Sequence, residues 1–162
     1  MRKRGGTELP ESVYLQYVLF HRVNEEEIRP CRSLFYHQIQ EQIRGKSPLE
    51  TVLEINYWCA GEVAYEAGDD RTLSALSVWK RGYGRCGEES VFAVNVLRSA
   101  GIPARQVYAP YWSHCDDNHA WVEVWVDGNW HYLGACEPEP LLDLGWFEYA
   151  ASRAMLIHAR RF

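Results

Sequence analysis

The stretch "GRCGEESVFAVNVLRSAGIPAR", from Gly84 to Arg105, places a cysteine between two glycines just before a long apolar segment. From Ser90 to Ala100 nearly every residue is apolar, which predicts a helix buried on most of its sides. Gly101 ends that helix, and Pro103 keeps it from resuming. Cys86 therefore falls at the start of a buried helix, where partial positive charge and free backbone N–H groups favour a thiolate.

The surroundings of Cys86 fit a nucleophile. Gly84 and Gly87 leave the sulfur uncrowded and allow a substrate backbone to approach it. The free N–H groups of the helix start can also act as an oxyanion hole for an acyl intermediate. A nearby imidazole would take the thiol proton and later protonate a leaving group. Without such an imidazole, an inert buried thiol in a tight turn explains the cysteine equally well.

The strongest strand signal follows this helix. Residues His119 to Val126 alternate, with alanine and valine on one face and His119 on the other, and Asp127-Gly128 is a two-residue hairpin signal. The return strand is predicted from Trp130 to Cys136. A two-residue turn fixes the register, which sets Cys136 opposite His119 and Gly134 diagonal to it.

Helices are predicted on both sides of this region. A helical segment from Tyr14 to Arg44 breaks at Arg29-Pro30, and a shorter one covers Thr72–Lys80. Ser47, Pro48 and Glu50 form a capping-box pattern, which begins a helix that Gly68 would end. The tail from Leu141 to Phe162 has an amphipathic pattern that predicts a helix closing the core. Helices followed by an antiparallel sheet indicate the α+β class.

Composition narrows the classes of function. The 162 residues are 47% hydrophobic and 14% aromatic, which excludes a disordered chain. Lysine and arginine number 17 against 22 acidic residues, and the net charge of −5 argues against nucleic acid as the main partner. No apolar segment of signal-peptide length follows the basic "MRKRGG" start, and no apolar run approaches the roughly 18 residues of a membrane span. We therefore expect a soluble chain without membrane insertion.

The spacing of the cysteines does not match a disulfide framework or a zinc site. Five are present, an odd number, and the sequence has no C-x-x-C zinc pattern. No cofactor is predicted, and the cellular compartment stays open. We expect a single domain over residues 1–162 with its motif-bearing core at about 47–140, standing alone or joined to flanking domains in a longer protein.

Three motifs in order resemble the transglutaminase-like superfamily: Cys86 in "GYGRCGEES", then "LRSAGIPARQVY", then His119 in "NHAWVEVWVDGNWHYL". That superfamily groups transglutaminases with bacterial cysteine peptidases, and peptide N-glycanases share its core. The resemblance covers about Glu50 to Leu133. It implies a cysteine-peptidase-like fold in which N-terminal helices pack on an antiparallel sheet. It also implies that Cys86 is the nucleophile, His119 its base, and an aspartate on the next strand the third catalytic residue.

The sequence departs from the family at that third residue. Glycine stands at position 134, where the family has its aspartate. Either a neighbouring carboxylate, of which Glu137 is the nearest, takes its place, or Cys86 and His119 act as a dyad. If Cys136 lies opposite His119, it can form a disulfide with Cys86 or join Cys86 and His119 as a zinc ligand. A small residue packed at a strand end accounts for Cys136 as well.

These features predict acyl transfer through a thioester at Cys86. Water as acceptor would make the protein a peptidase or amidase acting on a peptide or protein substrate, and an amine would make it a transferase. Trp79, Tyr83 and Trp121 are candidates for lining the substrate cleft. Two alternatives stay open: a catalytically weakened module that binds a peptide or glycan, and a metal-binding domain that uses Cys86, His119 and Cys136.

Overall fold

The computed structural model describes residues 8–68, 72–115 and 117–162. The basic start at 1–6 lies outside these ranges. The helices are α1 Glu11–Tyr14, α2 Arg32–Ile39, α3 Pro48–Glu62, α4 Ala75–Arg81, α5 Cys86–Ser99 and α6 Glu148–Ala151, with a π-helical turn at Leu15–Leu19. The strands are β1 Ala64–Tyr65, β2 Tyr83–Gly84, β3 Ala104–Ala109, β4 His119–Val126, β5 Asn129–Leu133 and β6 His158–Ala159. The predicted α+β class is confirmed.

The capping box that begins α3 is confirmed. The Ser47 side chain accepts a hydrogen bond from the Glu50 N–H, and the Glu50 carboxylate accepts one from the Ser47 N–H. The helix ends at Glu62 and not at Gly68, because Val63 is extended and leads into β1, which pairs with β2. The helical prediction for 14–44 was too long, since residues 20–31 form an irregular segment between the π-helical turn and α2.

The main sheet has the strand order β5-β4-β3-β6, and every neighbouring pair is antiparallel. The predicted hairpin register is confirmed where the strands pair, with Val126 opposite Asn129 and Trp125 opposite Trp130. Pairing stops at Leu133, however. The prediction that β5 continues to Cys136 was therefore wrong, and the chain turns away at the level of Gly134.

Helix α5 packs on one face of this sheet. Its residues 88–98 are all buried, and its apolar side chains share the main core with Val122, Val124 and Val126 of β4. A second, smaller apolar cluster covers the other face, where Phe147 packs against Trp112 and Trp121. The two faces of β4 are thus both buried, and the N-terminus of α5 meets the strand near its start.

The tail prediction was mostly wrong. Only Glu148–Ala151 is helical, and the chain then returns to pair as β6 with the edge of β3. Phe147 is buried as the amphipathic pattern required, but Met155 is 93% exposed. The free edge of β3 has unpaired backbone groups, and pairing with the tail covers them.

None of the helices in the described ranges is long and apolar enough to cross a bilayer.

Candidate active site

Cys86 is the first residue of α5, as the sequence predicted. A side chain at position 84 would bring its Cβ within 2.8 Å of the Glu88 Cβ, so the close packing there requires glycine. At Gly87 an added Cβ would meet nothing within 4 Å, so this side of the helix start is open. Glu88 completes a capping box by accepting hydrogen bonds from the N–H and guanidinium of Arg85.

The Cys86 sulfur lies against the backbone of β4. Hydrogen bonds from the N–H groups of Ala120 and Gly87 stabilise its thiolate, but burial has the larger effect and raises the pKa of the Cys86 thiol above its ordinary value. The sequence-based expectation that the helix start favours a thiolate is therefore not met in the resting protein. Ala120 follows His119 directly, but side chains alternate along β4, so the His119 ring lies on the opposite face of the strand, against Trp121 and Phe147. The structure therefore does not bring the imidazole to the Cys86 sulfur, and His119 is not among the residues that line the cleft there.

His119 lies in an aromatic enclosure at the start of β4. Its ring centroid is 4.6 Å from that of Trp146 and 5.0 Å from that of Phe147, and only 6% of the residue is exposed. Burial lowers the pKa of His119 to about 4, so the imidazole is neutral at physiological pH. Its Nε2 atom is buried and has no hydrogen-bond partner among the described residues. An orphaned ring nitrogen of this kind is what loss of an orienting carboxylate would leave.

The replacement that the sequence suggested for that carboxylate is Glu137. If position 134 carried a side chain, its Cβ would lie 2.5 Å from Oε2 of Glu137, so the glutamate occupies the space that Gly134 vacates. The same Oε2 accepts a hydrogen bond of 2.9 Å from Nε1 of Trp146, the ring that covers His119. Glu137 is thus held against the aromatic wall of the imidazole without bonding its Nε2.

Asn56 of α3 holds the turn that carries Glu137. Its Nδ2 donates to the Gly134 carbonyl at 2.9 Å, and its Oδ1 accepts from the Cys136 N–H, also at 2.9 Å. Asn56 is 4% exposed. This bridge between a helix and a turn could not be read from the sequence, because the partners are separated by about 80 residues and no local pattern marks them.

Cys136 does not face His119. It has a positive φ of 58°, and its thiol hydrogen-bonds Cys59 and approaches the Glu89 carbonyl at 4.0 Å. The strand ended before it, so the register that put it opposite His119 does not apply. The described cysteines are all free, and no group of three or more potential metal ligands occurs in the described part of the chain. The disulfide and the metal site suggested for Cys86 and Cys136 therefore have no support.

Glu89 adds a second buried carboxyl group beside this turn. It lies on the first turn of α5 and is 3% exposed. Burial, and then the neighbouring carboxylates of Glu137 and Glu88, raise the pKa of Glu89 to about 8. The group is therefore mostly protonated at neutral pH, and its charge, once it ionises, raises the pKa of the nearby Cys86 thiol.

A cleft of about 350 Å³ opens at Cys86, and Ala120 and Tyr108 form part of its wall. The other residues that line it are Asn24, Glu25, Thr72, Arg85, Gly87, Gln106, Asn118, His158 and Arg160. The cleft is thus polar, and both ends of the chain contribute to it. His158 was assigned no role from the sequence, and only its position on β6 brings it here.

The aromatic residues predicted to line a substrate cleft lie elsewhere. Trp79 packs edge-on against Phe35, and its Nε1 donates to Glu62. Tyr83 stacks under the guanidinium of Arg81, and Trp121 is 4% exposed and stacks on Phe147. None of the three is among the residues lining the cleft at Cys86. Their part in substrate binding stays a prediction.

Comparison with known proteins shows which solved structures share this fold. No curated protein sequence matches the chain. A structure called a "Putative Cysteine Protease", from Cytophaga hutchinsonii, superposes with a TM-score of 0.53 and 20% identity over 82% of this chain and 50% of that one. Legionella pneumophila LapG gives a TM-score of 0.55 and 17% identity over 79% of this chain and 71% of that one. At these identities the likeness is one of fold, and this chain spans half the length of the Cytophaga structure.

A sequence profile of the transglutaminase-like superfamily matches residues 37–135. The match runs from α2 to the turn after β5, and it includes Cys86, His119 and the glycine at position 134. It covers more than half of the 162 residues and agrees with the motifs and the fold described above. The chain belongs to the transglutaminase-like superfamily.

Proposed function

We propose that this protein is a cysteine-dependent acyl-transfer enzyme that hydrolyses a peptide or another amide. The observation that carries the proposal is the position of the Cys86 sulfur, at the N-terminus of α5 and against the backbone of Ala120, the residue after His119. Amide cleavage by a thiol needs a base beside the sulfur. His119 is the first residue of β4 and its ring lies on the other face of that strand, so the proposal requires the imidazole to turn toward Cys86 when substrate binds.

The steps follow from the protonation states. At neutral pH the resting pair is a thiol and a neutral imidazole. Once substrate is bound and the imidazole has turned toward the sulfur, His119 takes the thiol proton while sulfur bonds to the carbonyl carbon. The imidazolium then gives this proton to the leaving amine, and a thioester remains on Cys86. Attack by water releases the acid and restores the thiol, whereas attack by an amine forms a new amide.

Glu137 is the third member in this proposal. Support comes from its carboxylate, which fills the space beside Gly134 and bonds Trp146, the ring that covers His119. A rotation that breaks the bond to Trp146 would bring the carboxylate to the unpartnered Nε2 of His119. The imidazolium formed during the reaction would attract the carboxylate, so the hydrogen bond would form when it is needed. The backbone N–H groups at the start of α5 would stabilise the oxyanion.

A second candidate function is a catalytically weakened module that binds a peptide or glycan. The glycine at position 134 and the orphaned Nε2 favour it, since a base without an orienting partner loses efficiency. The cleft at Cys86 would then serve recognition alone.

Mass spectrometry of a tryptic peptide mixture incubated with the protein would separate these functions. New termini that form with the wild type, and neither with Cys86→Ala nor with His119→Ala, would support hydrolysis. Incorporation of an added primary amine would support transfer instead. Cys115→Ala, at an exposed cysteine, is the matched control and should behave as wild type. A mixture unchanged by the wild type, from which peptides are nevertheless retained on the immobilised protein, would support the binding module.

A further inference from the structure

The cleft at Cys86 is bounded by two segments that lie outside the family match at 37–135. Asn24 and Glu25 come from the irregular segment before α2, and His158 and Arg160 come from β6 and the residue after it. The superfamily core supplies the nucleophile, but these additional segments supply the opposite wall. Selectivity for a substrate can therefore differ here from that of other members with the same core.

The register of the sheet explains why the tail points into the cleft. Tyr108 of β3 pairs with Ala120 on one side and with His158 on the other, so these three residues share the face that meets Cys86. The Tyr108 and His158 rings meet edge to face at 5.7 Å. Side chains alternate along a strand, which puts Arg160 on the same face as His158. Ala159 between them packs into the apolar cluster on the opposite face.

The charges that face the cleft are those of Arg85, Arg160 and Glu25, together with the titratable His158. Arg85 is engaged with Glu88, a carboxylate that is 3% exposed. Arg160 pairs with Glu25 at 2.8 Å, and this ion pair joins the two walls across 135 residues of sequence. The side chains of this pair are 41% and 75% exposed, so water competes with it and an incoming anion can displace it.

We propose that the cleft binds a carboxylate of the acyl substrate, with Arg160 as its partner and Glu25 as the group that the substrate carboxylate displaces. Guanidinium groups bind carboxylates through two parallel hydrogen bonds, and Arg160 uses one nitrogen on Glu25. His158, beside it on the same face, can donate a further hydrogen bond. This inference rests on the proposed function, because it names the chemistry of the substrate that Cys86 would attack.

Two alkylating reagents of nearly equal size test the charge preference without knowledge of the substrate. Iodoacetate carries a carboxylate and iodoacetamide is neutral, and both react with the same sulfur. The ratio of their rates at Cys86, measured by mass spectrometry at about pH 9 where thiols ionise, reports the attraction of the cleft for a carboxylate. Exposed Cys115, labelled in the same reaction, supplies an internal reference.

The variants have opposite expected effects. Arg160→Gln should lower the iodoacetate-to-iodoacetamide ratio at Cys86 by about two- to fivefold, the scale of an exposed ion pair. Glu25→Gln should raise the ratio by a similar factor, because it releases Arg160. Arg161→Gln removes the same charge from the adjacent exposed residue, which does not line the cleft, and should leave the ratio unchanged. At Cys115 the ratio should be constant throughout.

A ratio at Cys86 that is the same in wild type, Arg160→Gln and Glu25→Gln would overturn the subsite. So would an equal decrease in Arg160→Gln and Arg161→Gln, which would indicate only the overall charge. These results would leave the proposed function intact, because that function depends on peptide turnover by Cys86 and His119. Conversely, the wild type could show no peptide turnover while the ratio at Cys86 shifts in Arg160→Gln and Glu25→Gln. That result would contradict the enzymatic function and support the carboxylate site.

The bound carboxylate could belong to an acidic side chain or to a peptide C-terminus. Small ligands of each kind, added before iodoacetamide, distinguish the two by how well they protect Cys86 from alkylation. N-acetylaspartate amide offers a side-chain carboxylate, N-acetylalanine offers a terminal one, and N-acetylasparagine amide is the neutral control. Protection by the first alone would assign an acidic side chain, and protection by the second alone would assign a peptide C-terminus. Equal protection by all three, or protection by none, would overturn recognition of a carboxylate.

Discussion

The carboxylate of Glu137 occupies the space that a side chain at position 134 would fill, with Oε2 only 2.5 Å from where the Cβ of residue 134 would lie. The position at which the family resemblance implies an aspartate is thus glycine, and Glu137, three positions along the chain, fills the space beside it. Trp146 links the two groups, because its Nε1 donates to Glu137 and its ring lies 4.6 Å from that of His119.

Exchanging the two positions tests whether Glu137 substitutes for the aspartate. Glu137→Ala should lower peptide turnover by at least about tenfold, since loss of an orienting carboxylate can cost up to about 10⁴ in kcat. Gly134→Asp alone should not improve the enzyme, because its Cβ would also lie 3.0 Å from the Cβ of Glu137. The double variant Gly134→Asp/Glu137→Ala has room for the aspartate and should recover turnover. Glu139→Ala removes an exposed carboxylate nearby and serves as the control, which should turn over peptide like the wild type. Equal turnover by Glu137→Ala and the wild type would exclude an orienting role for Glu137.

The resting state of Cys86 has a distinct pH signature. Because burial raises the pKa of the thiol, its labelling by iodoacetamide should rise with pH with a midpoint above the ordinary thiol value of about 8.5. His119 is neutral above about pH 4, so it provides no positive charge to stabilise the thiolate. The midpoint should therefore be unchanged in His119→Ala. A low midpoint that rises in this variant would instead reveal a thiolate–imidazolium pair and contradict the neutral resting state.

Glu89 should make the folded protein less stable as pH rises. Its pKa is raised from 4.5 to about 8, so between these values the folded state binds a proton that the unfolded state has released. The free energy of unfolding contributed by this group therefore decreases with pH across that window. Glu89→Gln removes the titration and should gain stability relative to wild type from pH 5 to pH 8, measured by urea unfolding. Glu11→Gln, at an exposed position, should show no such trend; a pH-independent difference for Glu89→Gln would mean that Glu89 titrates normally.

Local signals accounted for the parts of the fold that position the nucleophile. The capping box at Ser47, the apolar run of α5 and the two-residue turn at 127–128 each depend on neighbours in sequence, and the structure has all three. The tail and the turn after β5 depend on distant partners. The edge of β3 captured the tail as a strand, and Asn56 of α3 fixed the turn, so the pattern of each segment alone predicted the wrong structure.

The importance of that turn leads to a prediction for Asn56. Asn56→Ala removes one buried and one partly buried hydrogen bond to the backbone of the turn, which involve the Gly134 carbonyl and the Cys136 N–H. The free energy of unfolding should fall by about 2–3 kcal/mol, measured by urea unfolding, whereas Asn129→Ala on the exposed hairpin should change it little.

Asn56→Ala also shows whether Asn56 only stabilises the turn or also positions Glu137 for catalysis. If Asn56 holds Glu137 against His119, then Asn56→Ala should lose turnover to the same extent as Glu137→Ala under conditions where both are folded. The double variant should lose no more than either alone, because the two residues act through one carboxylate. Full turnover in a destabilised Asn56→Ala protein would assign Asn56 to the stability of the turn only. Losses that multiply in the double variant would show that Asn56 influences the site by a route that does not pass through Glu137.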